Sequence, residues 1–306
     1  MDSNISIGVV FITYNAKHHL RHCLPPILSS PLQPRVLVLN SSSKDGTVEE
    51  AQAFGVETLI VPRKEFNHGT SRNLAWQHLQ CDITVMMTPD AYACQSDMLE
   101  KLAAPLIVGQ ADISYARQIP HDEAKPLEEL SRSFNYPEES HIRSLQDMPK
   151  WGVYTFFCSN SCAAWRTRCL AEIGGFPNVL TGEDTMAAAA LLRKGYKIAY
   201  CADAVVKHSH DYTLLQEFKR YFDTGYVRKE QRLLREMIAQ AGRDESRGKE
   251  LVLQQIKTCW KDNPGLLPKL LATHGMKFLG YKIGSKSHKA PTWFKRSLSG
   301  QDFYWK

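Results

Sequence analysis

The sequence predicts an α/β protein with a mostly parallel sheet and a helical region at its end. Three observations carry this. Over the first 115 residues short apolar runs alternate with amphipathic stretches, the mark of βαβα units. Polar clusters close several of those runs, as strand ends facing a ligand would. From Asp211 onward Leu, Phe, Tyr and Ile recur at three- and four-residue steps, the period of amphipathic helices.

Element by element, "IGVVFITYN" reads as a buried first strand and "HHLRHCLPPILSS" as a helix that Pro25 and Pro26 interrupt. "RVLVLN" is a second strand, closed by the polar turn "SSSKDGT" before the helix "VEEAQAFG". "VETLIVP" is a third strand, "TSRNLAWQHLQ" a helix, and "DITVMM" a fourth strand that delivers Thr88-Pro89-Asp90 at its carboxyl end. Ligands bind beyond the carboxyl ends of such strands, so Thr13-Tyr14-Asn15, Asn40 to Asp45 and Asp90 are expected on one rim. Residues 117–150, rich in Pro, Glu, Ser and Arg, read as a lid around short helices. Residues 153–165 look strand-like, "TGEDTMAAAALLRKG" helical, and "KIAYCADAVVKHSH" like a strand pair.

With 306 residues, 43% of them hydrophobic and 23% charged, the composition is that of a soluble folded protein. The start lacks a basic leader, and no stretch approaches the 18 or so apolar residues that cross a bilayer. Eight cysteines without a CxxC pair point to buried thiols rather than a zinc knuckle or a disulfide framework. Charge is uneven: residues 1–210 hold 19 Lys and Arg against 22 Asp and Glu, and residues 211–306 hold 19 against 10. A basic tail suits an anionic membrane surface, an acidic partner or a solvated helical face. Nucleic acid is not expected, since no reading motif accompanies the charge.

Several patterns carry chemistry. In "TGEDTM", Thr181 stands where an N-cap would and Asp184 three residues on, which reads as a capping box. A helix N-terminus also favours an ionised Asp184 that can accept a proton, while Glu183 points elsewhere. "VVKHSH" puts His208 and His210 on one side of a strand, and imidazole is a common metal ligand. In "FNHGTSRN", Gly69 permits a tight approach while Arg72 and Asn73 open a helix suited to an anion. Neither GxGxxG, GxxxxGK[ST] nor GxSxG occurs, so dinucleotide, P-loop and serine-hydrolase chemistry lack support.

Taken in order, residues 5–210 resemble a family 2 glycosyltransferase of GT-A fold, a Rossmann-like mixed sheet with helices on both faces. "VVFITYN" is similar to the opening strand that holds the nucleotide base. "VLVLNSSSKDGT" resembles the family's "VVVDDGSTDGT", with Asp45 matching and Asn40 and Ser41 in place of aspartates. Asp90 falls at a shortened DxD, and "GGFPNVLTGED" at the acceptor and base region. The resemblance implies Asp184 as general base and a metal, Mg²⁺ or Mn²⁺, on Asp90 and His210; because the protein supplies so few ligands, that metal is expected to bind appreciably only with nucleotide. It implies donor contacts from Thr13, Tyr14, Asn15, Asn40, Asp45, Arg72, Asp90 and Arg117, and acceptor contacts from Trp151, Gly182 and Glu183. A GT-A domain over 1–210 then has a donor half (about 1–115) and a lid and acceptor half (about 116–210), followed by a basic helical region over 211–306.

"FNHGTSRN", "RQIP" at Arg117 to Pro120, "NYP" at Asn135 to Pro137 and the ending "RSLSGQDFYWK" are similar to the bacterial rhamnosyltransferases of this family. That implies an inverting transfer from dTDP-L-rhamnose to a hydroxyl of a surface glycan such as O-antigen, in the cytoplasm. The tail would touch the inner membrane face near a lipid-linked acceptor, pack as a helical subdomain, or form a homodimer interface. Two alternatives stay open: a non-catalytic nucleotide-sugar scaffold, and a transferase using a UDP- or GDP-sugar.

Overall fold

The computed structural model describes residues 5–241 and 244–306. β1 (Ile7–Thr13) is buried at every position, as a strand covered on both faces must be. α1 (Lys17–Leu28) does not break at its prolines but runs through Pro25 and Pro26 to Leu28. Its Leu20, Cys23, Leu24 and Ile27 are buried, and the carbonyls deprived of a partner belong to Arg21 and His22, on the solvent side where water can serve them.

β2 (Arg35–Asn40), α2 (Thr47–Ala53), β3 (Glu57–Ile60), α3 (His68–Leu79) and β4 (Ile83–Met87) complete the first half. β1 lies between β2 and β4, parallel to both, with Thr13 opposite Asn40 and Phe11 opposite Met87. The carboxyl ends of β1, β2 and β4 therefore share one rim, as the sequence predicts.

β5 (Tyr92–Ala93), α4 (Met98–Ile107) and β6 (Ile113–Ile119) lead into the lid, where α5 (Pro126–Asn135), β7 (His141–Arg143) and α6 (Met148–Trp151) are all short. The strand expected over 153–165 is a 3₁₀ turn over Gly152–Phe156 and then β8 (Cys162–Arg166). After α7 (Thr167–Glu172) and α8 (Glu183–Arg193), the expected strand pair is one strand, β9 (Ile198–Lys207). Its register against β6 shifts between Ala116 and Arg117, and that bulge takes up what the sequence suggested was a turn.

Sheet order is β3-β2-β1-β4-β8-β6-β9-β5, with β7 pairing to β9. β8 runs antiparallel to β4 and β6, which makes the sheet mixed. One apolar core forms on each face: Phe11, Leu24 and Leu102 lie in one, Trp165, Phe176 and Leu191 in the other. All eight cysteines are free thiols and seven are buried; Cys94 is exposed, against expectation, because it follows the two-residue edge strand β5.

The basic region forms α9 (Leu214–Glu230), α10 (Arg232–Ala241), α11 (Asp244–Asp262), α12 (Leu267–Lys286) and α13 (Thr292–Leu298). It is not a loose tail. Tyr226, Val227, Leu234, Met237 and Trp305 join the core that contains Trp165 and Phe176, so apolar packing crosses residue 210. α9 and α12 meet backbone to backbone at Gly225, Gly280 and Gly284; a Cβ on Gly284 would sit 2.0 Å from the Phe222 carbonyl oxygen.

Candidate functional site

Asp90 leaves the carboxyl end of β4, and β9 delivers two imidazoles to it. His208 Nε2 lies 3.6 Å from Asp90 Oδ1, and His210 Nδ1 lies 3.6 Å from Oδ2. The ligand atoms of Asp90, His208 and His210 all fall within 4.8 Å of one another. Gln118 sets the His208 tautomer. Its Oε1 accepts from the Arg132 guanidinium, which can only donate, and so must also accept from His208 Nδ1, 2.8 Å away. The proton is thereby held on Nδ1, and the Nε2 lone pair faces Asp90. Burial pushes His208 down to about 3 and lowers His210 as well, so both rings are neutral at pH 7. Burial works against the Asp90 charge too, but at the low pH where the carboxyl titrates, protonated His208 and His210 outweigh it and hold Asp90 below its ordinary range. One carboxylate and two neutral imidazoles are a donor set that fits a divalent cation whose remaining ligands come from elsewhere.

Asp184 sits in the first turn of α8. The expected capping box is absent: Gly182, at φ 75°, is the N-cap, and no side chain caps the helix. Thr181 is displaced from that role because the chain enters through a left-handed residue, which Gly adopts without strain. Asp184 instead accepts from the backbone N–H of Asn160 at 3.0 Å and of Thr185 at 2.7 Å. Burial first, and then the Glu183 charge, raise it to about 6, outweighing the helix N-terminus that was expected to keep it low. A carboxyl with that value is still mostly ionised at pH 7 and takes up a proton readily, which suits a general base.

Glu183 points the other way. Its Oε1 is 2.5 Å from Arg72 Nη1, with both side chains buried. Arg72, expected at the donor, and Glu183, expected at the acceptor, both line one cavity, where Glu183 holds Arg72 Nη1 and leaves Arg72 Nε without a partner among the described residues. Arg72 outweighs the burial of Glu183 and holds it ionised. The rest of "FNHGTSRN" clamps the same loop. Asn67 caps α3 through the N–H groups of Gly69 and Thr70, and its amide donates to the Val179 carbonyl at 2.8 Å. Asn73 donates to the Phe176 carbonyl and accepts from the Phe176 N–H, both at 2.8 Å. A Cβ on Gly69 would lie 2.0 Å from the Pro177 carbonyl oxygen. The motif thus fixes the segment that carries Asp184, while His68 and Arg72 of α3 line the adjoining cavity.

A cavity of about 770 Å³ joins these groups: Asp90, His208, His210, Asp184, Asn160 and Gly182 all line it. The remaining expected donor residues lie beyond it, on the rim of β1 and β2. Asn40 is fully buried, donating to Thr13 Oγ1 and Ser43 Oγ and accepting from the Ser43 N–H, so its amide builds the shelf instead of facing a base. Thr13 donates onward to the Leu39 carbonyl. Asp45 accepts from the N–H groups of Lys17 and Thr47, tying down the starts of α1 and α2. Asn15, at φ 49°, accepts from the Lys44 N–H; Tyr14 is about half exposed. Two expected contacts fall outside the cavity wall. Arg117 donates to Glu138 at 2.7 Å, and Trp151 stacks on His141 with 4.7 Å between ring centroids.

Residues 8–174 match the description Glycosyl transferase family 2. The chain belongs to that family. It is 37% identical to the O-antigen chain rhamnosyltransferase RfbN of Salmonella typhimurium, over 98% of this chain and 96% of that protein. It is 35% identical to the O-antigen chain rhamnosyltransferase WbaN of Salmonella anatum, over the same shares. Among solved structures, the mannosyltransferase PcManGT from Pyrobaculum calidifontis, in complex with GDP-Man and Mn²⁺, superposes at TM-score 0.60 with 16% identity, covering 92% of this chain and 86% of that one. The fold is GT-A, and the chain is a glycosyltransferase.

In this glycosyltransferase the structure adds residues that the motifs left out. His208 joins His210 at Asp90, and the spacing of "HSH" already carried that signal. Gln118 and Arg132 act through His208, from a segment whose composition reads only as a lid. Arg143 is fully buried, donates to the Tyr154 and Phe157 carbonyls and the Tyr115 hydroxyl, and so pins the turn that lines the cavity.

Proposed function

We propose that this glycosyltransferase moves L-rhamnose from dTDP-L-rhamnose to a hydroxyl of an O-antigen-type glycan, with inversion. The observation that carries the mechanism is that Asp184 and the Asp90, His208 and His210 cluster line one cavity. The near-full-length likeness to two O-antigen chain rhamnosyltransferases supports the sugar and the acceptor class. Asp184 takes the acceptor hydroxyl proton as that oxygen attacks the anomeric carbon from the face opposite the diphosphate. The bond from the anomeric carbon to the diphosphate oxygen breaks, and the nucleoside diphosphate leaves with the electron pair. Asp90, His208 and His210 would hold Mg²⁺ or Mn²⁺, which when bound neutralises charge on the departing diphosphate. The Arg72–Glu183 pair and Asn73 keep Asp184 in place.

A thermal-shift panel of dTDP, UDP and GDP, each with and without Mg²⁺, followed by hydrolysis of the matching sugar nucleotides, tests the donor. dTDP with Mg²⁺ is expected to give the largest shift; a larger one with UDP or GDP replaces the donor, and none at all favours a protein that does not bind nucleotide sugars.

The C-terminal region suits peripheral contact with an anionic membrane. Residues 263–301 carry six lysines and one arginine with no Asp or Glu. Leu271, Phe278, Leu279 and Trp293 are exposed there. Among the described residues no helix is long and apolar enough to cross a membrane. Co-sedimentation with phosphatidylglycerol-containing liposomes at low salt, lost at high salt, is expected; its absence at low salt contradicts this contact.

A further inference from the structure

A diphosphate favours a cationic partner, and each of the two arginines that the motifs single out already holds a carboxylate, although Arg72 also lines the cavity and its Nε has no partner among the described residues. Arg72 is paired with Glu183 and Arg117 with Glu138. Arg63 is different. It follows β3 in a short turn over Arg63–Glu65, so it stands on the same rim as Tyr14 after β1 and Ser41 after β2. Its guanidinium lies 4.0 Å from the centroid of the Tyr14 ring and 4.7 Å from that of Phe303. Phe66 stands behind at 5.6 Å, and Arg63 Nη1 donates to Ser41 Oγ at 3.3 Å. Among the described residues no carboxylate pairs with it. Aromatic faces hold a planar cation by its faces and leave its N–H edges free to donate.

Phe303 comes from the far end of the chain. Its ring also meets Phe66 at 5.4 Å and His68 at 6.2 Å, and His68 lines the cavity, so the Arg63 slot neighbours a residue of the cavity wall. Two contacts hold that end in place: Asp223 on α9 accepts from the Gly300 N–H at 2.9 Å, and Trp305 packs on Tyr226 at 5.0 Å.

Resting on the donor reading above, we infer that Arg63 binds the diphosphate of the donor and that Phe303 is its positioning residue. The last residues of the chain thereby complete the donor site. A guanidinium fits this task because its fork donates to two phosphate oxygens at once.

The test is calorimetry with whichever of dTDP, UDP and GDP stabilises the wild-type protein, using the matching nucleoside as a control. Arg63→Ala is expected to weaken the nucleoside diphosphate by about 10- to 100-fold, the worth of a hydrogen bond to a charged group, and to leave the nucleoside nearly unchanged. Arg63→Lys is expected to fall between. Phe303→Ala is expected to raise the donor KM more than it lowers kcat and to add little on the Arg63→Ala background, while Phe303→Tyr restores binding. Melting curves report whether each variant is folded. If the wild type binds no nucleoside diphosphate, the functional reading fails and this one with it. If the wild type binds and folded Arg63→Ala binds equally well, Arg63 has no part in donor recognition and only this inference is overturned.

Discussion

Asp184→Asn is expected to lower kcat by about 10²- to 10⁴-fold, the usual worth of a general base, with donor affinity nearly unchanged. The amide keeps the shape and an acceptor for one of the two backbone N–H groups that Asp184 now serves, so the fold should persist. The pH profile sharpens the test. Asp184 must be ionised to act, and burial together with Glu183 raises it to about 6. Wild-type kcat should therefore rise with pH through about 6 and level off above it, and the residual activity of Asp184→Asn should lack that limb. A folded variant with ordinary turnover, or one that keeps the limb, assigns the base elsewhere.

Asp90→Ala is expected to be nearly as damaging, for a different reason. It removes the carboxylate between two imidazoles that burial keeps neutral, leaving no anionic ligand in the cluster. Charge neutralisation at a departing diphosphate contributes several kcal/mol, so a loss of about 10³-fold in kcat follows. His208→Ala should cost more than His210→Ala, because His208 is the more buried ring and its lone pair is aimed by Gln118. Three protein ligands leave much of the shell to the nucleotide. Titration of Mn²⁺ into the wild-type protein should give weak binding alone and clearly tighter binding with nucleoside diphosphate. Tight binding to the nucleotide-free protein, or an unchanged Mn²⁺ affinity in Asp90→Ala, contradicts the assignment.

Much of the fold was legible because it is written in local periodicity. The apolar runs of β1, β2 and β4 announce a sheet buried on both faces, and the polar residues at their ends announce its working rim. Asp90, Asp184 and His210 were legible because each is delivered by such an end or by a helix start. Pairings between remote residues were not legible. Arg72 and Glu183 are 111 residues apart in sequence, and nothing local reveals that each satisfies the other. The same holds for Arg63 and Phe303, which meet only because α9 anchors the chain's end. Local rules also failed where tertiary packing outweighed them. α1 runs through two prolines because its buried face holds it, and the capping box at Thr181 gave way to a left-handed glycine. Asn40 sits where the family resemblance implies base recognition, yet its amide is saturated by Thr13 and Ser43, so what that position does is to hold β1 and β2 in register.

The division at residue 210 is a further case. Composition separates a neutral front from a basic end, but charge reports the surface and not the core. Trp305 and Tyr226 are buried beside residues of the α/β part, and Asp223 anchors the segment that carries Phe303 to the donor rim. Removing the final helices would therefore expose the core and remove part of the proposed donor site at once.

The most direct test of the central claim is the anomeric configuration of the product. The purified protein is incubated with dTDP-L-rhamnose, Mg²⁺ and a lipid-linked O-antigen acceptor, and the glycosylated product is read by NMR. Attack opposite the leaving diphosphate, assisted by Asp184, predicts a rhamnosyl linkage of configuration opposite to that of the donor. Retained configuration, or transfer only from a different sugar nucleotide, would contradict the account.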